Sequence, residues 1–270
     1  MTYWYDGQWI DGETITLSIR DPALIYGANT FTTLRVIDGQ LHHPATHWGL
    51  HRDRLLNSLK SLGWPEPDWP RLEMAAAQLA REYAVLRVVI LADGREWIVG
   101  RSLPADRQTR RDKGVIAWLA VGPTYQRAIA AQKTGNYLPS WLALNDAQRH
   151  GAAEGILLDH QGHWLETSTG NLWGYRDRGP DGPQWLTPEL GAILPGIARE
   201  VLVAALRSRG ETVEESPWTP DLVESLDAIA YSNSVYGPVP IHTVLDPDGH
   251  PLRDRPAPAD RLKFLQTLWP

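Results

Sequence analysis

Hydrophobic and polar positions divide the first 120 residues into short strands and two amphipathic helices. Leu50, Leu55, Leu59 and Leu62 recur at helical spacing, which predicts a helix over residues 47–62. A second helix is predicted over residues 69–83. Apolar and β-branched runs between turn signals, such as Asp38-Gly39, predict strands at residues 3–5, 8–10, 14–19, 31–37, 86–92, 96–101 and 115–120.

The second half of the chain repeats this mixture of strands and helices. Helices are predicted at residues 138–150 and 195–209, the latter with Pro195 at its start and Gly210 just past its end. Strands are predicted at residues 155–159, 164–166, 171–175, 184–187, 228–232 and 241–244. The pattern favours an α+β protein with a small N-terminal domain (1–120) and a larger C-terminal domain (121–270), joined by a linker near residues 119–128.

Composition excludes several classes of site and partner. The 270 residues are 43% hydrophobic, enough to bury a substantial core, and they include no cysteine, so disulfides, thiolate metal sites and a cysteine nucleophile are excluded. A net charge of -6 argues against nucleic-acid binding. The chain has neither a signal-peptide pattern nor an apolar run of about 18 residues. We expect a cytoplasmic enzyme without a metal or a membrane partner.

Lys133 is the candidate nucleophile. It lies between the apolar residues 128–131 and the turn-like Gly135-Asn136. A lysine in such a place can form a Schiff base if partial burial or a nearby cation favours its neutral form. A solvated surface lysine is the alternative interpretation.

Three further motifs suit the phosphate of an anionic cofactor. A helix that opens with Pro195-Gly196 offers the backbone amides of Ile197 and Ala198 to an anion. The loop at Asn233-Ser234 follows a strand and carries hydroxyl and amide groups, although these side chains could instead cap their own turn. Arg54 lies on the apolar side of its helix, where it needs a buried anion; phosphate and a structural salt bridge both remain open.

Glu166 is a candidate partner for a pyridine nitrogen. It ends an apolar strand. A pyridoxal-phosphate enzyme needs a carboxylate there to keep the ring protonated and therefore electron-withdrawing. The alternative is that Glu166 bonds to the neighbouring turn at residues 167–169.

In this order, these motifs resemble the class IV aminotransferases, the fold-type IV pyridoxal-phosphate enzymes. The family includes branched-chain aminotransferases, D-amino-acid aminotransferases and aminodeoxychorismate lyases. The resemblance is strongest at residues 21–39, 51–58, 133–159, 166–173, 187–199 and 232–241. It implies a two-domain D-amino-acid aminotransferase-like fold, pyridoxal 5'-phosphate as cofactor, a small-molecule amino substrate and a homodimer.

The resemblance also implies roles for individual residues. Lys133 matches the Schiff-base lysine, which is also the catalytic base, and Glu166 matches the partner of the pyridine nitrogen. Tyr137 matches a tyrosine that reaches the cofactor ring oxygen in some members. The residues that match phosphate contacts are Arg54, Gly196, Ile197, Ala198, Asn233 and Ser234. The chain departs from the common pattern at Ala198 (often threonine), at residues 26–29 (Tyr-Gly-Ala-Asn for Tyr-Gly-Asp-Gly) and at residues 145–146 (Asn-Asp for Glu-Ala).

The stretches at residues 31–39 and 233–241 resemble those of aminodeoxychorismate lyases. Branched-chain aminotransferases usually carry Glu-Gly in place of Thr32-Thr33. The resemblance therefore favours a lyase that forms 4-aminobenzoate and pyruvate, a step towards folate. Arg35 is the candidate for a substrate carboxylate, and Tyr26, Thr32 and Thr33 are further substrate-binding candidates, although only one of the two threonines can face the pocket. An aminotransferase for branched-chain or D-amino acids and a non-catalytic pyridoxal-phosphate-binding protein remain as alternatives.

Overall fold

A computed structural model describes residues 2–179, 182–254 and 259–270 of the chain. The strands are β1 (Thr2–Tyr5), β2 (Gln8–Asp11), β3 (Asn29–Arg35), β4 (Val85–Leu91), β5 (Glu96–Arg101), β6 (Val115–Ala120), β7 (Glu154–Leu158), β8 (Trp164–Thr167), β9 (Asn171–Gly179), β10 (Gly182–Pro188), β11 (Val213–Ser216), β12 (Ala228–Asn233), β13 (Gly237–Leu245) and β14 (Pro251–Asp254). The helices are α1 (Pro22–Ile25), α2 (Trp48–Leu62), α3 (Trp69–Ala80), α4 (Arg107–Lys113), α5 (Leu138–Arg149), α6 (Ile197–Arg207), α7 (Pro220–Ser225) and α8 (Ala259–Thr267).

The described residues form two compact units. The first contains Met1–Pro104 together with the short segment Gln132–Tyr137, and the second contains Ala105–Ala131 and Leu138–Pro270. The predicted α+β class is confirmed, since both units combine strands with helices. The two units are groups of residues that contact one another, so they do not test the predicted domain division at residue 120. That division stays a prediction.

The first unit is an antiparallel sheet in the order β2-β1-β5-β4-β3. Helices α2 and α3 bury their apolar stripes in the same core as the sheet residues Leu34 and Leu86. The α2 stripe contributes Leu55 and Leu59, as its spacing predicts. Helix α2 ends at Gly63, whose positive φ of 67° is the left-handed conformation that closes many helices.

The second unit is built on the strand path β11-β10-β9-β12-β13-β6-β7-β8, with β14 paired to β13. The pairing of Glu166 with Asn171 joins β8 back to β9 and closes the path from β9 to β8 into a ring. Successive β9 residues alternate between two cores, because Leu172 packs with Ile156 and Ile229, whereas Trp173 packs with α6 and α8. The ring therefore places Glu166, near the end of β8, opposite Asn171, at the start of β9.

Two strand predictions change in the structure. Residues 14–18 form no strand, and the carbonyl of Thr14 accepts a hydrogen bond from Tyr3 Oη instead of from a neighbouring strand. The strand at 115–120 is present but does not close the first half, because it pairs with β7 and β13 in the second unit. The elements that were not predicted are α1, α4, α7, α8, β11 and β14, which are short and therefore give little periodic signal.

Candidate active site

Lys133 lies in the short segment that packs against β3. The amide of Phe31 donates to the Lys133 carbonyl (2.8 Å), and the amide of Gly135 donates to the Asn29 carbonyl (2.8 Å). A Cβ on Gly135 would lie 2.3 Å from Asn29 Nδ2 and 2.5 Å from the Gly27 carbonyl oxygen, so the close approach requires glycine. Backbone pairing, rather than the lysine side chain, therefore fixes the position of this segment.

The Lys133 amine is surrounded by aromatic groups. Its Nζ lies 3.0 Å from Tyr137 Oη, 4.5 Å from the centre of the Tyr137 ring and 4.7 Å from the centre of the Phe31 ring. The two rings meet edge to face at 5.5 Å. The residue is half-buried, which contradicts the interpretation of Lys133 as a fully solvated surface lysine. Aromatic walls and a phenol hold the amine in a defined position, as a nucleophile requires.

Arg54 takes part in a buried network with Thr32 and His51. Arg54 Nη2 donates to Thr32 Oγ1 (2.8 Å), and Thr32 Oγ1 lies 2.6 Å from His51 Nδ1. Burial, together with the charges of Arg54, His47 and Lys133, lowers the pKa of His51 well below its ordinary 6.5. Arg54, Thr32 and His51 thus form one hydrogen-bonded group, in which the pKa of the histidine is lowered.

Thr32 and Thr33 lie on opposite faces of β3, as alternation predicts. Thr32 is fully buried in the Arg54 network, whereas Thr33 is half-buried and pairs with Arg87 of β4. The Arg87 guanidinium lies 3.8 Å from the centre of the Phe31 ring. Arg35 shares this face two residues beyond Thr33.

The face of β3 and β4 that carries Phe31 is cationic. Burial lowers the pKa of Arg35, and burial with the nearby charge of Arg101 lowers that of Arg87. Sequence reasoning missed Arg87, because only strand register reveals that it shares a face with Arg35. Tyr26, the remaining substrate-binding candidate, is 76% exposed.

Glu166 is buried in the second unit and held by three donors. Arg127 Nη1 donates to Oε1 (2.5 Å), while the Leu194 amide (3.2 Å) and Asn171 Nδ2 (3.4 Å) donate to Oε2. Arg127 and Glu166 are both nearly inaccessible. The cationic partner favours the ionised carboxylate, which is the form that stabilises a protonated pyridine nitrogen. These contacts go beyond the local turn considered as the alternative for Glu166.

Arg127 is a second residue that sequence reasoning missed. It precedes the apolar run at residues 128–131 and lies 39 positions from Glu166 along the chain. Nothing in the sequence pairs these two residues. A buried carboxylate predicts only that some cation or donor is near it.

Gly196 is the N-cap residue of α6, and no side chain caps the first amides of this helix. Ile197 and Ala198 are buried at its first turn. A Cβ on Gly196 would lie 2.0 Å from Asn171 Oδ1, so glycine is required where the helix start meets Asn171. Asn171 Nδ2 also donates to the Leu194 carbonyl (2.8 Å), which ties the helix start to the residue that contacts Glu166.

The loop after β12 is shaped by Asn233. Its Oδ1 accepts hydrogen bonds from the amides of Val235 (3.0 Å) and Tyr236 (2.9 Å). The capping interpretation is therefore right for Asn233. Ser234 is half-buried, and its hydroxyl makes no hydrogen bond to another residue within the described part of the chain.

The predicted residues form two clusters, one in each unit. Lys133, Tyr137 and Arg54 belong to the first unit, and the second unit brings together Glu166, Gly196, Ile197, Ala198, Asn233 and Ser234. Each cluster by itself offers groups that suit pyridoxal phosphate. The first offers an amine for the aldehyde and a cation for the phosphate, and the second offers a carboxylate for the pyridine nitrogen together with a hydroxyl and helix-start amides for the phosphate.

Comparison with known proteins defines the class of enzyme. The sequence profile described as "Amino-transferase class IV" matches residues 29–244, so the chain belongs to the class IV aminotransferase family. Enzymes of this family use pyridoxal phosphate, and the chain is accordingly a pyridoxal-phosphate-dependent enzyme. Among the described residues, no helix is both long enough and apolar enough to cross a membrane.

Individual relatives fall into two activity groups. The chain is 28% identical to an aminodeoxychorismate lyase of Vibrio harveyi, over 89% of this chain and 92% of the lyase. It is 25% identical to the branched-chain-amino-acid aminotransferase of Escherichia coli (strain K12), over 89% of this chain and 84% of that enzyme. The relatives thus leave the specific reaction open.

Solved structures confirm the predicted fold. The PLP-bound form of a hypothetical aminotransferase from Mycobacterium tuberculosis superposes with a TM-score of 0.82 at 23% identity, covering 100% of this chain and 99% of that one. The branched-chain amino acid aminotransferase of Escherichia coli gives 0.78 at 23% identity, covering 97% and 92%.

Replacing Arg127 with methionine should destabilise the protein by about 3–5 kcal/mol, because the buried Glu166 carboxylate would lose its cationic partner. Urea denaturation without cofactor measures the loss. The double variant Arg127→Met/Glu166→Gln should be more stable than Arg127→Met alone, since it leaves no unpaired charge. Equal stability of the single and double variants would contradict a dominant role for this ion pair.

Stability should also fall as the pH drops below about 6.5. His51 has a lowered pKa in the folded state, so the unfolded chain binds more protons in this range and acidification favours unfolding. The His51 contribution to the slope is at most about 1.4 kcal/mol per pH unit. His51→Asn should flatten the pH dependence between pH 5 and 6.5 (roughly one histidine titration) in urea denaturation. An unchanged slope in this variant would contradict the role of His51.

Proposed function

We propose that the chain is an aminodeoxychorismate lyase, which converts 4-amino-4-deoxychorismate to 4-aminobenzoate and pyruvate. The observation that carries this proposal is the pair of arginines on the Phe31 face of the first sheet. Arg35 pairs with Val85, and Arg87 pairs with Thr33, so the two arginines are diagonal neighbours on adjacent strands. Such neighbours lie roughly 7–8 Å apart in an antiparallel pair. Two cations at this spacing suit a substrate that carries two carboxylates.

The Lys133 amine serves two purposes in this proposal. Its Nζ would hold the cofactor, and as a free amine it would take the proton from the substrate carbon that bears nitrogen. Tyr137 Oη, 3.0 Å from Nζ, orients the amine for that transfer. When bound, pyridoxal phosphate supplies the electron sink that makes this proton acidic.

The remaining cofactor contacts follow from the two clusters. We assign Glu166, held by Arg127, to the pyridine nitrogen. The phosphate contacts are assigned to Arg54, the helix-start amides of Gly196, Ile197 and Ala198, and the loop residues Asn233 and Ser234. In this assignment Asn233 shapes the loop through its side chain, and Ser234 offers its hydroxyl.

Elimination fits the chemistry of this substrate. After the proton leaves, the bond between the ring carbon and the enolpyruvyl oxygen breaks, and the ring becomes aromatic. The proton held on Lys133 Nζ is then available to the departing enolpyruvate, which becomes pyruvate. Thr33 lies on the Phe31 face, opposite Arg87 and two residues from Arg35, and is therefore the threonine of the pair that we assign to the substrate. Thr32 instead accepts a hydrogen bond from Arg54.

The similarity to the Vibrio harveyi lyase supports this assignment. A branched-chain aminotransferase is the second candidate, supported by several relatives at 25% identity. Family resemblance further supports a homodimer, a cytoplasmic location and Tyr26 as a substrate contact.

Purified protein reconstituted with pyridoxal phosphate should release 4-aminobenzoate and pyruvate from 4-amino-4-deoxychorismate. Lys133→Ala should lose this activity and also the covalent cofactor adduct trapped by borohydride, which mass spectrometry detects. Keto-acid formation from branched-chain or D-amino acids, without any 4-aminobenzoate, would instead support the aminotransferase.

Arg87→Gln should raise the KM for aminodeoxychorismate by at least about tenfold, the usual effect of losing one charged hydrogen bond. Cofactor affinity should stay unchanged, because Arg87 lies outside the proposed phosphate contacts. Steady-state kinetics and cofactor titration measure the two effects separately. Arg81→Gln, an exposed arginine just after α3, is the matched control. An unchanged KM would exclude Arg87 from substrate binding.

A further inference from the structure

The hairpin turn between β8 and β9, together with Glu166 and Asn171 on either side of it, contacts the elements of the second unit that are assigned to the cofactor. Glu166 precedes this turn and Asn171 follows it. Gly170, inside the turn, packs so tightly on β12 that an added Cβ would lie 2.3 Å from the Ser232 carbonyl oxygen. Gly196, at the start of α6, meets Asn171 equally closely. The position of the turn therefore determines how these elements fit together.

A second buried carboxylate, Glu154, holds the turn. It lies at the start of β7 and is 2% exposed. Its Oε2 accepts hydrogen bonds from Ser168 Oγ (2.6 Å) and the Thr169 amide (3.1 Å), and its Oε1 accepts from Thr169 Oγ1 (2.6 Å). Burial raises the pKa of Glu154, while hydrogen bonds from Ser168 and Thr169 oppose that rise. The reaction outlined above leaves Glu154 without a role.

Thr169 connects Glu154 to the loop after β12. A hydroxyl has one proton, and Thr169 Oγ1 donates it to Glu154. The same oxygen can then only accept, and it accepts a hydrogen bond from Asn233 Nδ2 (3.3 Å). Asn233 in turn binds the Val235 and Tyr236 amides through Oδ1. Because Glu154 accepts the Thr169 proton, it determines which group donates in each hydrogen bond from Thr169 to the loop that carries Ser234.

We propose that Glu154 is a positioning residue for the cofactor, acting through the turn at residues 168–170 on Glu166, on the Gly196 helix start and on the Asn233-Ser234 loop. The proposal rests on the cofactor contacts assigned under the proposed function. It does not depend on whether the enzyme is a lyase or an aminotransferase. In this proposal Glu154 acts through the turn and is assigned no contact of its own with substrate or cofactor.

Glu154→Gln tests this role with little change in volume. The glutamine carbonyl can replace Oε2, but its amide would then donate to Thr169 Oγ1 and compete with the donor from Asn233. The chain of hydrogen bonds to the loop is therefore broken, while much of the turn is retained. Thr169→Val should break the same chain from the other side, and Thr169→Ser should preserve it.

We expect Glu154→Gln and Thr169→Val each to raise the dissociation constant for pyridoxal phosphate about tenfold or more, as the loss of a charged hydrogen bond predicts. The double variant should bind pyridoxal phosphate no more weakly than the single variant with the lower affinity, because both substitutions break the same chain of hydrogen bonds. In cofactor-free protein, hydrogen exchange should accelerate in the peptide covering residues 164–171. The KM for the amino substrate, measured at saturating cofactor, should not change.

Glu96→Gln is the matched control. Glu96 is also fully buried and accepts hydrogen bonds from Trp4 Nε1 and Arg71, but it lies in the first unit among residues without an assigned cofactor contact. It should lower stability without changing the affinity for pyridoxal phosphate. Circular dichroism and thermal denaturation establish that each variant is folded before titration.

Wild-type affinity for pyridoxal phosphate in folded Glu154→Gln and Thr169→Val would overturn the proposal. An equal loss of affinity in Glu96→Gln would also overturn it, since the effect would then follow stability alone. Failure of the wild-type protein to bind pyridoxal phosphate through Lys133 would instead refute the cofactor assignment on which the proposal rests. If Glu154→Gln does not fold, Thr169→Val and Thr169→Ser still decide the matter, because their side chains are exposed.

Discussion

A carboxyl group that leaves water must receive hydrogen bonds or an opposite charge, and the second unit buries two such groups beside one hairpin. Glu166 is held by Arg127, the Leu194 amide and Asn171, and Glu154 is held by the turn that follows Glu166. Because these partners come from different parts of the chain, satisfying the two carboxylates fixes the relation between the hairpin, the start of α6 and the loop after β12. The second unit can therefore present a preorganised set of donors without relying on flexible side chains.

The first unit differs from the second, because it holds several cationic side chains close together. Lys133 and Arg87 lie against the Phe31 ring, and aromatic faces favour such contacts. On the opposite face of β3, the half-buried Arg54 donates to Thr32, next to a histidine whose pKa is lowered. Strand β3 thus separates Arg54, which we assign to the phosphate, from Arg35 and Arg87, which we assign to the substrate carboxylates.

The distinction between lyase and aminotransferase depends on the substrate face rather than on the cofactor contacts. Both reactions need the same amine, the same carboxylate near the pyridine nitrogen and the same phosphate donors. They differ in what the enzyme does with the proton and in which substrate it admits. In the proposed function, the diagonal arginines on β3 and β4 are the feature that would select a rigid substrate with two carboxylates over a small aliphatic amino acid.

The sequence by itself determined the main helices, most strands, the α+β class and the motifs around Lys133, Glu166, Arg54, Gly196 and Ser234. Those features are local, since helical and strand periodicities and Gly or Pro turn signals depend only on residues that are close in the sequence. Only the tertiary structure decided the partners: Arg127 for Glu166, Arg87 beside Phe31, the turn for Glu154, and β6 within the second sheet. Each of these depends on strand register or on a contact between distant residues. A sequence pattern shows that a buried charge needs a partner, but the folded chain decides which residue provides it.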